Sequence, residues 1–352
     1  SAWPWILVTM IERVRIEIFN LLREVEVSLQ RLRVVVGRNG VGKSSFLDAI
    51  DLLLSGARAG KPDAHHLLPR FNPVHMLSRG VPGPLVLIAA SSSESFRFEW
   101  GLKGGPTGRW GASVSGPWKA GHPASWKTGS LGQSLRLRLN SEDIKADHHS
   151  STEVPELGST GAGIASMLQY LQGIRDESFE RIEEEMRTLI PGAKRLRTRP
   201  VLVNRESDTA KGARFEVEWE GAGWVAAEHL SEGTLLVVAL LTVLHCTPAE
   251  VILLDDVDKG LHPIAQVEVV KLLQRLVDSR PQLQIVATAH SPFVLDTLDA
   301  TQMLVASSGE DGYTRIRPMS EHPGWAGQRG AVSLGEFWSD VGEGWVTEPA
   351  RQ

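Results

Sequence analysis

The stretch "VVVGRNGVGKSSFLDAI", Val34–Ile50, begins with three β-branched residues, crosses three glycines and ends in residues with helical spacing. Gly37–Ser44 match the pattern G-x-x-x-x-G-K-[ST] at every fixed position, and they lie between a predicted strand and a predicted helix. Glycines allow backbone N–H groups to approach a phosphate closely, and the helix N-terminus adds a positive dipole end. The stretch therefore predicts a phosphate-binding loop.

The side chains of this loop have separate predicted roles. Lys43 is placed to reach between the β- and γ-phosphates of a nucleotide, and the Ser44 hydroxyl to coordinate Mg²⁺. Ser45 is a candidate donor to the α-phosphate. The candidate nucleotide-binding residues of the loop are Arg38, Asn39, Gly40, Val41, Gly42, Lys43, Ser44 and Ser45.

The second motif is "VILLDD", Val251–Asp256, in which four apolar residues are followed by two aspartates. Ligands of open α/β sheets bind at the carboxyl ends of such strands. Asp255 is the second candidate metal residue, holding the water shell of Mg²⁺ together with Ser44. Asp256 is a candidate catalytic residue, placed to orient or deprotonate the attacking water.

Two further motifs lie at the ends of buried elements, where an anion such as a phosphate can bind. "LSEGT", Leu230–Thr234, precedes an apolar helix, so Ser231 as N-cap and the N–H of Gly233 form an anion site at the helix N-terminus. "ATAHSP", Ala287–Pro292, places His290 just past a buried strand.

In this order and form, the four motifs resemble those of ABC-superfamily ATPases. Glu-Gly-Thr in the signature is similar to the soluble branch of RecF, SMC and overcoming-lysogenization-defect (OLD) proteins, whereas transporters carry Gly-Gly-Gln. The resemblance covers most of residues 10–300. It implies an α/β P-loop NTPase fold with a mixed central sheet, an antiparallel β subdomain and a helical signature subdomain.

The resemblance also implies a composite site. In that family the signature of one protomer caps the ATP of the other, so Ser231 and Gly233 would meet a γ-phosphate held by Lys43 of a second copy. His290 would be the switch histidine that contacts this phosphate, and with Asp256 it forms the candidate catalytic pair. The implied cofactors are ATP and Mg²⁺, and the implied first partner is a second copy of the chain.

Two features depart from the family pattern. Asp256 stands where the family has Glu, and a carboxylate one methylene shorter predicts slow turnover or a nucleotide switch. The glutamine of the family's Q-loop is not evident, with Gln133 and Gln169 as weak candidates.

The segment "DVDKGLHP", Asp256–Pro263, resembles the family's D-loop. Two interpretations of Asp258 and His262 remain open. They communicate across the dimer, or they cap the following helix.

Composition argues against a disulfide-linked or a membrane-spanning protein. The chain has 352 residues, 42% of them hydrophobic, a net charge of −5 and one cysteine, Cys246, which excludes an intramolecular disulfide and is compatible with the cytoplasm. No apolar run reaches the ~18–20 residues that span a bilayer. We therefore expect a cytoplasmic protein without a membrane partner.

We expect six segments along the chain. They are an N-terminal extension or expression remnant (1–9), an ATPase N-lobe with the P-loop (10–55), a β-rich insertion with long loops (56–160), a helical and strand subdomain (161–229), a lobe with the signature, the Walker B aspartate and the switch histidine (230–300), and a C-terminal strand pair and helix (301–352).

The chain lacks features of its longer relatives. Residues 45–229 carry no heptads, which excludes coiled-coil arms, and residues 291–352 are too few for the Toprim nuclease domain of OLD proteins. The histidine pairs His65-His66 and His148-His149 have no partners at metal-ligand spacing. A separate effector protein, such as a nuclease or toxin, is therefore the second expected partner.

One basic stretch, "KRLRTRPVLVNR" at Lys194–Arg205, bears on DNA as a third partner. Arg195, Arg197 and Arg199 alternate, so they lie on one face of a strand that either tracks a phosphate backbone or is simply solvated. No aromatic residues interleave for base stacking.

The favoured hypothesis is a slow ABC-type ATPase that acts as a nucleotide-gated regulator or sensor in phage defence or DNA metabolism. The alternatives are a DNA-binding repair ATPase like RecF, a non-hydrolysing ATP-dependent dimerisation switch and a transporter ATPase subunit, the last disfavoured by the signature. Function beyond ATP binding rests on fold analogy.

Overall fold

The computed structural model describes residues 10–59, 85–90, 95–103, 109–115, 134–204, 209–247 and 249–348. The predicted extension 1–9 and much of the predicted insertion 56–160 lie outside these ranges. The chain forms two units, of which unit 1 comprises 1–136, 249–257 and 271–352, and unit 2 comprises 137–248 and 258–270.

Unit 1 is built on a mixed sheet in which eleven strands are described. In chain order the strands are β1 Arg13–Phe19, β2 Leu22–Ser28, β3 Leu32–Val36, β4 Leu85–Ala90, β5 Ser95–Lys103, β6 Arg109–Ser115, β7 Ser134–Leu137, β11 Val251–Leu254, β12 Gln284–Thr288, β13 Met303–Ser308 and β14 Thr314–Pro318. Their spatial order in the sheet is β6-β5-β4-β1-β2-β14-β13-β3-β12-β11-β7.

Two kinds of sequence pattern, alternating and continuously apolar, occupy two different parts of this sheet. β1 and β2 alternate polar and apolar residues and pair antiparallel, with β4, β5 and β6 continuing the antiparallel side. The apolar strands β3, β11, β12 and β13 form the parallel part, in which every residue of β3, β11 and β12 is buried. Continuous apolar runs are typical of strands covered on both faces.

Helix α1, Lys43–Ala59, begins directly after the glycine loop. Its apolar residues recur at helical spacing and are buried in one core with the sheet: Phe46, Leu47, Ile50, Leu53 and Leu54. This packing fixes the N-terminal end of α1 at the end of β3.

The parallel strands bring the candidate site together. β12 lies between β3 and β11, and both pairings are parallel. Parallel neighbours end at the same edge of a sheet, so the glycine loop, the two aspartates and His290 all follow strands at one edge. β7, next to β11, completes this side of the sheet.

The remaining helices of unit 1 lie late in the chain. Helix α6 spans Pro263–Ser279, and its residues up to Val270 belong to unit 2, whereas those from Lys271 belong to unit 1. The helices that follow this second half of α6 are α7 Pro292–Leu295, α8 Trp325–Gln328 and α9 Leu334–Val341. Ser333 caps α9 in a capping box with Glu336.

Unit 2 combines helices with a separate antiparallel sheet of order β10-β9-β8. Its elements are α2 Ser141–Lys145, α3 Ile164–Ile174, α4 Glu177–Leu189, β8 Ala193–Asn204, β9 Thr209–Trp219, β10 Gly223–Ala226, α5 Glu232–Cys246 and the first half of α6. Thr234–Leu244 of α5 are all buried, as the sequence predicts for a helix that is apolar on all sides.

The predicted fold class is confirmed: a mixed central sheet, a second antiparallel sheet and a buried signature helix are all present. β10 and the short helices α2, α7 and α8 were not predicted, because four- or five-residue elements carry too few positions for a periodic pattern. Among the described helices, none is both long and apolar enough to cross a membrane.

Candidate functional site

The glycine loop depends on backbone conformations that other residues disfavour. Gly37, Gly40 and Gly42 all have positive φ, of 144°, 76° and 101°. A Cβ at Gly42 would lie 2.6 Å from the Thr314 hydroxyl oxygen, and one at Gly37 would collide with the carbonyl oxygen of Ala306. The loop is therefore held close against the sheet, and its glycines are required where they stand.

Lys43 and Ser44 point from the start of α1 toward the candidate site. The buried Lys43 Nζ donates to the carbonyl oxygens of Gly37 (2.8 Å) and Arg38 (3.0 Å), inside the curve of the loop. The Ser44 hydroxyl donates to Asp255 Oδ1 at 3.1 Å. The structure thus brings the predicted lysine, serine and Walker B aspartate together.

Two residues that the sequence did not single out support the loop. The buried Thr314 on β14 donates its hydroxyl to the Val41 carbonyl at 2.6 Å. Asn20, at the turn between β1 and β2, donates from its side-chain amide to the Ser45 hydroxyl at 3.1 Å. Strand order creates both contacts, so no local motif could have indicated them.

Arg38 is placed differently from the rest of the loop. Its exposed guanidinium forms an ion pair with Glu343, with 2.5 Å between Nε and Oε1. Asn39 and Gly40 are also exposed, whereas Val41 and Gly42 are buried. The Arg38 side chain is thus held by the C-terminal segment, and its backbone remains part of the loop.

Asp255 and Asp256 follow β11 and share one hydroxyl, that of Thr288 at the end of β12. The Thr288 hydroxyl donates to Asp255 Oδ1 at 2.9 Å and accepts the Asp256 backbone N–H at 2.8 Å. Thr288 is fully buried, and the sequence interpretation missed it. The only available signal was its position two residues before His290.

The catalytic candidates Asp256 and His290 lie within contact distance, with 3.3 Å between Asp256 Oδ1 and His290 Nε2. Both side chains are partly open to solvent, 44% and 39% exposed, whereas Asp255 is 4% exposed. A buried carboxylate beside a serine suits a metal shell, and an open one beside a histidine suits contact with water.

A buried arginine, Arg136 on β7, also reaches this site. Its Nη2 lies 2.9 Å from Asp255 Oδ2, and its Nε lies 3.2 Å from Asp48 Oδ1 on α1. No motif indicates this residue, because β7 becomes the neighbour of β11 only through the strand order.

The signature residues lie in unit 2, at the start of α5. Ser231 is the N-cap, and its hydroxyl oxygen accepts the Thr234 N–H at 3.2 Å, as the motif predicts. Ser231 is exposed while Thr234 is buried. A Cβ at Gly233 would lie 2.6 Å from the Gly260 carbonyl oxygen, so this glycine permits a close approach of the D-loop segment to the helix.

Within the D-loop segment of unit 2, the contacts are those of a helix start. The His262 ring accepts the Ile264 N–H at 3.4 Å, and its carbonyl oxygen accepts the Gln266 N–H at 3.0 Å. Asp258 is buried, and its carbonyl oxygen accepts the Leu261 N–H. These contacts favour the capping interpretation of His262.

The predicted basic face is present on β8, and acidic residues of β9 balance it. Arg195 Nε donates to Glu218 and Arg197 Nε donates to Glu216, both at 2.6 Å, and Arg199 lies 3.5 Å from Glu216. Arg197 also stacks on the Trp224 ring, with 4.0 Å from Cζ to the centroid. Phosphate binding here would compete with these pairs.

The remaining sequence candidates lie elsewhere. Gln169 lies inside α3 of unit 2, and Gln133, His65 and His66 lie outside the described residues. The His148 ring contacts the Ser166 hydroxyl, and burial lowers the His148 pKa, with the charge of His149 adding to this. Within the described ranges, no group of three or more His, Cys, Asp or Glu side chains is placed to hold a metal.

Comparison with known proteins agrees with this geometry. Residues 32–296 match the family described as "AAA domain, putative AbiEii toxin, Type IV TA system". The chain is also similar to the Septu protein PtuA of Bacillus mycoides (strain KBAB4), with 22% identity over 320 residues that cover 86% of this chain and 41% of PtuA. The chain thus spans about two fifths of the length of that relative.

Solved structures of SMC heads share the fold. One is an SMC head bound to the C-winged helix domain of ScpA, with a TM-score of 0.58, 16% identity and coverage of 87% of this chain and 96% of that one. Another, from Pyrococcus furiosus, has an extended coiled coil and is bound to the C-terminal domain of ScpA, with a TM-score of 0.57, 15% identity and coverage of 94% and 98%. A third, from Pyrococcus yayanosii, has a TM-score of 0.57, 12% identity and coverage of 88% and 96%. The family match over most of its length shows that the chain belongs to this AAA domain family, and its fold is similar to that of SMC heads.

Proposed function

We propose that this chain binds ATP with Mg²⁺ and hydrolyses it slowly. One observation carries the proposal: Ser44, Asp255, Thr288, Asp256 and His290 form a connected run of polar contacts at the ends of three neighbouring parallel strands. Such a run, placed beside a glycine loop with a buried lysine, is suited to nucleotide chemistry and has no evident structural purpose of its own.

The residues present fit a nucleotide and a magnesium ion. The loop presses so closely against Thr314 that only glycine fits at position 42, and residues 38–40 on its other side are exposed, where backbone N–H groups can meet phosphate oxygens. Lys43 would hold the phosphates, and Ser44 with Asp255 would hold the metal. When bound, Mg²⁺ neutralises charge on the phosphate oxygens.

Asp256 is the group that would accept a proton from the attacking water. Its carboxylate is 44% exposed and lies against His290, so water can reach it while the histidine orients it. Because aspartate is one methylene shorter than glutamate, its reach is limited, which is the physical reason for slow turnover.

We further propose that two copies of the chain close head to tail around two nucleotides. The exposed Ser231 and the N–H of Gly233 would complete the phosphate site formed by Lys43 of the other copy. Both the signature motif and the SMC-like fold support this arrangement.

The biological role that we propose is a nucleotide-gated regulator or sensor in the cytoplasm, acting in phage defence or DNA metabolism with a separately encoded effector. The family description, which names a putative AbiEii toxin and a type IV TA system, supports an effector of the toxin class, and the similarity to a Septu protein supports a role in phage defence. The charge-balanced face of β8 lends no support to the DNA-repair alternative.

The hydrolytic proposal is tested by single-turnover hydrolysis of ATP. Asp256→Ala is expected to lower the rate by on the order of 10²–10⁴-fold, because it removes the general base, while ATP affinity stays close to wild type. Asp256→Glu is expected to raise the rate, because the carboxylate gains reach. Asp278→Ala, which removes an exposed carboxylate on α6, serves as the control.

The short side chain of Asp256 favours one alternative, in which ATP only holds the two copies together. If Asp256→Ala hydrolyses ATP at the wild-type rate, Asp256 is not the general base and hydrolysis by this site is contradicted. The ATP-dependent dimerisation switch is then the proposal that stands.

A further inference from the structure

Arg136 is one of the few buried charged residues at the candidate nucleotide site. Its side chain is 7% exposed and lies between two carboxylates, Asp255 at 2.9 Å and Asp48 at 3.2 Å. A buried guanidinium is costly unless it is paired, so these carboxylates hold it in place. The residue therefore has a defined position within contact of the Walker B aspartate.

The two oxygens of Asp255 have separate partners. Oδ1 accepts from the Ser44 and Thr288 hydroxyls, and Oδ2 faces the Arg136 guanidinium. One oxygen of the carboxylate is therefore bonded to the two hydroxyls on the P-loop side, while the charge of the other oxygen is neutralised by the fixed guanidinium of Arg136.

We propose that Arg136 makes divalent-cation binding at this site dependent on nucleotide. This inference rests on the proposed function and concerns how the site is regulated. In the described residues Asp48, Asp255 and Asp256 are not arranged as a metal site by themselves, but their negative charges favour a divalent cation beside the Ser44 hydroxyl. The positive charge of Arg136, held against two of these carboxylates in a partly desolvated site, opposes a second cation there.

The consequence is an ordered requirement. Because Arg136 neutralises part of the charge of Asp255, a cation would bind well only when the phosphate oxygens of ATP supply additional negative charge and further ligands. Arg136 is thus a positioning and charge-setting residue, which acts through Asp255 and does not touch the reacting atoms.

The test is a titration of the purified protein with Mn²⁺, followed by electron paramagnetic resonance, with and without ATP. Arg136→Gln is expected to bind Mn²⁺ at a concentration about tenfold lower than wild type in the absence of ATP, because one unit of repelling charge is removed. Arg138→Gln removes an exposed arginine two residues along the chain and is expected to behave as wild type.

Asp48→Asn separates this effect from a general loss of structure. It leaves Arg136 with one carboxylate fewer, so the positive charge acts more fully and Mn²⁺ binding in the presence of ATP is expected to weaken by several-fold. A damaged fold would weaken binding in both variants, whereas the proposal requires shifts in opposite directions.

Two results contradict different claims. If wild type binds no Mn²⁺ even with ATP, the proposed nucleotide site is wrong. If wild type binds Mn²⁺ with ATP, but Arg136→Gln and Asp48→Asn leave the affinities unchanged or shift them in the same direction, the role of Arg136 is wrong and the nucleotide site stands.

Discussion

Asp256 has a backbone conformation that few residues tolerate, with φ of +50°. Aspartate and asparagine enter this left-handed region more readily than other non-glycine residues. The Thr288 hydroxyl accepts the Asp256 N–H at 2.8 Å and thereby stabilises the turn. The direction of the Asp256 carboxylate is thus set by a residue on the neighbouring strand.

This arrangement predicts a role for Thr288 that exceeds simple packing. Thr288→Val keeps the shape of the side chain, but it removes the hydrogen bonds to Asp255 and to the Asp256 backbone. We expect single-turnover ATP hydrolysis to fall by roughly 10–100-fold, as for other residues that orient a metal or catalytic ligand. Circular dichroism and ATP binding are expected to show a folded protein.

Thr242→Val is the matched control for this substitution. Thr242 is equally buried, and its hydroxyl donates to the Val238 carbonyl within α5, away from the catalytic candidates. An equal loss of hydrolysis in both variants would show that Thr288 matters only for packing.

At this scale, the sequence predicts the residues that a motif fixes and misses those that strand order adds. Lys43, Ser44 and Asp255 come together as their motifs indicate. Thr288, Thr314 and Arg136 contact them from β12, β14 and β7, and these adjacencies depend on pairings between strands far apart in sequence.

Among the elements, the start of α5 shows how closely two backbones can approach. The α-carbon of Gly233 faces the carbonyl of Gly260, which itself has φ of +68°. Both glycines are within unit 2, so this contact joins the signature helix to the D-loop segment within one compact unit.

Gly233→Ala is therefore expected to destabilise unit 2. The new methyl group would lie 2.6 Å from a backbone oxygen, which cannot move as freely as a side chain. We expect a loss of about 1–3 kcal/mol in the free energy of unfolding, measured by denaturant titration, as for other substitutions that overpack a close contact.

Gly173→Ala provides the comparison. Gly173 lies on the exposed side of α3, and a Cβ there meets no atom within 4 Å. Alanine is favoured over glycine inside a helix by roughly 0.5–1 kcal/mol, so this variant is expected to be as stable as wild type or more stable. A Gly233→Ala protein as stable as Gly173→Ala would contradict the close approach.

The longer elements were predictable because their patterns repeat. Alternation predicts β1 and β2, continuous apolar runs predict β11 and β12, and helical spacing predicts α1. β10 is only four residues long, and its sequence Gly-Trp-Val-Ala contains no alternation. Its pairing with β9 depends on the turn at Gly221–Gly223, where two glycines have positive φ.

For the whole molecule, the chain crosses four times between its two units. Residues 258–270 belong to unit 2, although they follow β11 of unit 1, and α6 then returns to unit 1. Consecutive stretches of sequence do not reveal such a return, since it is defined by contacts between distant segments. The sequence does indicate which segments carry the two halves of the proposed composite site, because each half has its own motif.

If one nucleotide is held by Lys43 of one copy and Ser231 of another, two variants that are each inactive will restore hydrolysis when they are mixed. Lys43→Ala and Ser231→Arg are each expected to be inactive in ATP hydrolysis, with Ser231→Arg still binding ATP as a monomer in light-scattering measurements. Ser333→Arg, which removes the N-cap of α9, controls for the loss of a cap worth about 1 kcal/mol and is expected to dimerise with ATP and to hydrolyse it.

When the two inactive variants are mixed in equal amounts, half of the pairs contain one intact site formed by the unaltered Lys43 of one chain and the unaltered Ser231 of the other. We expect recovery of roughly a quarter of the wild-type rate, together with an ATP-dependent doubling of mass. No recovery on mixing, with Ser231→Arg alone hydrolysing ATP at the wild-type rate, would show that a single chain encloses the nucleotide and would contradict the composite site.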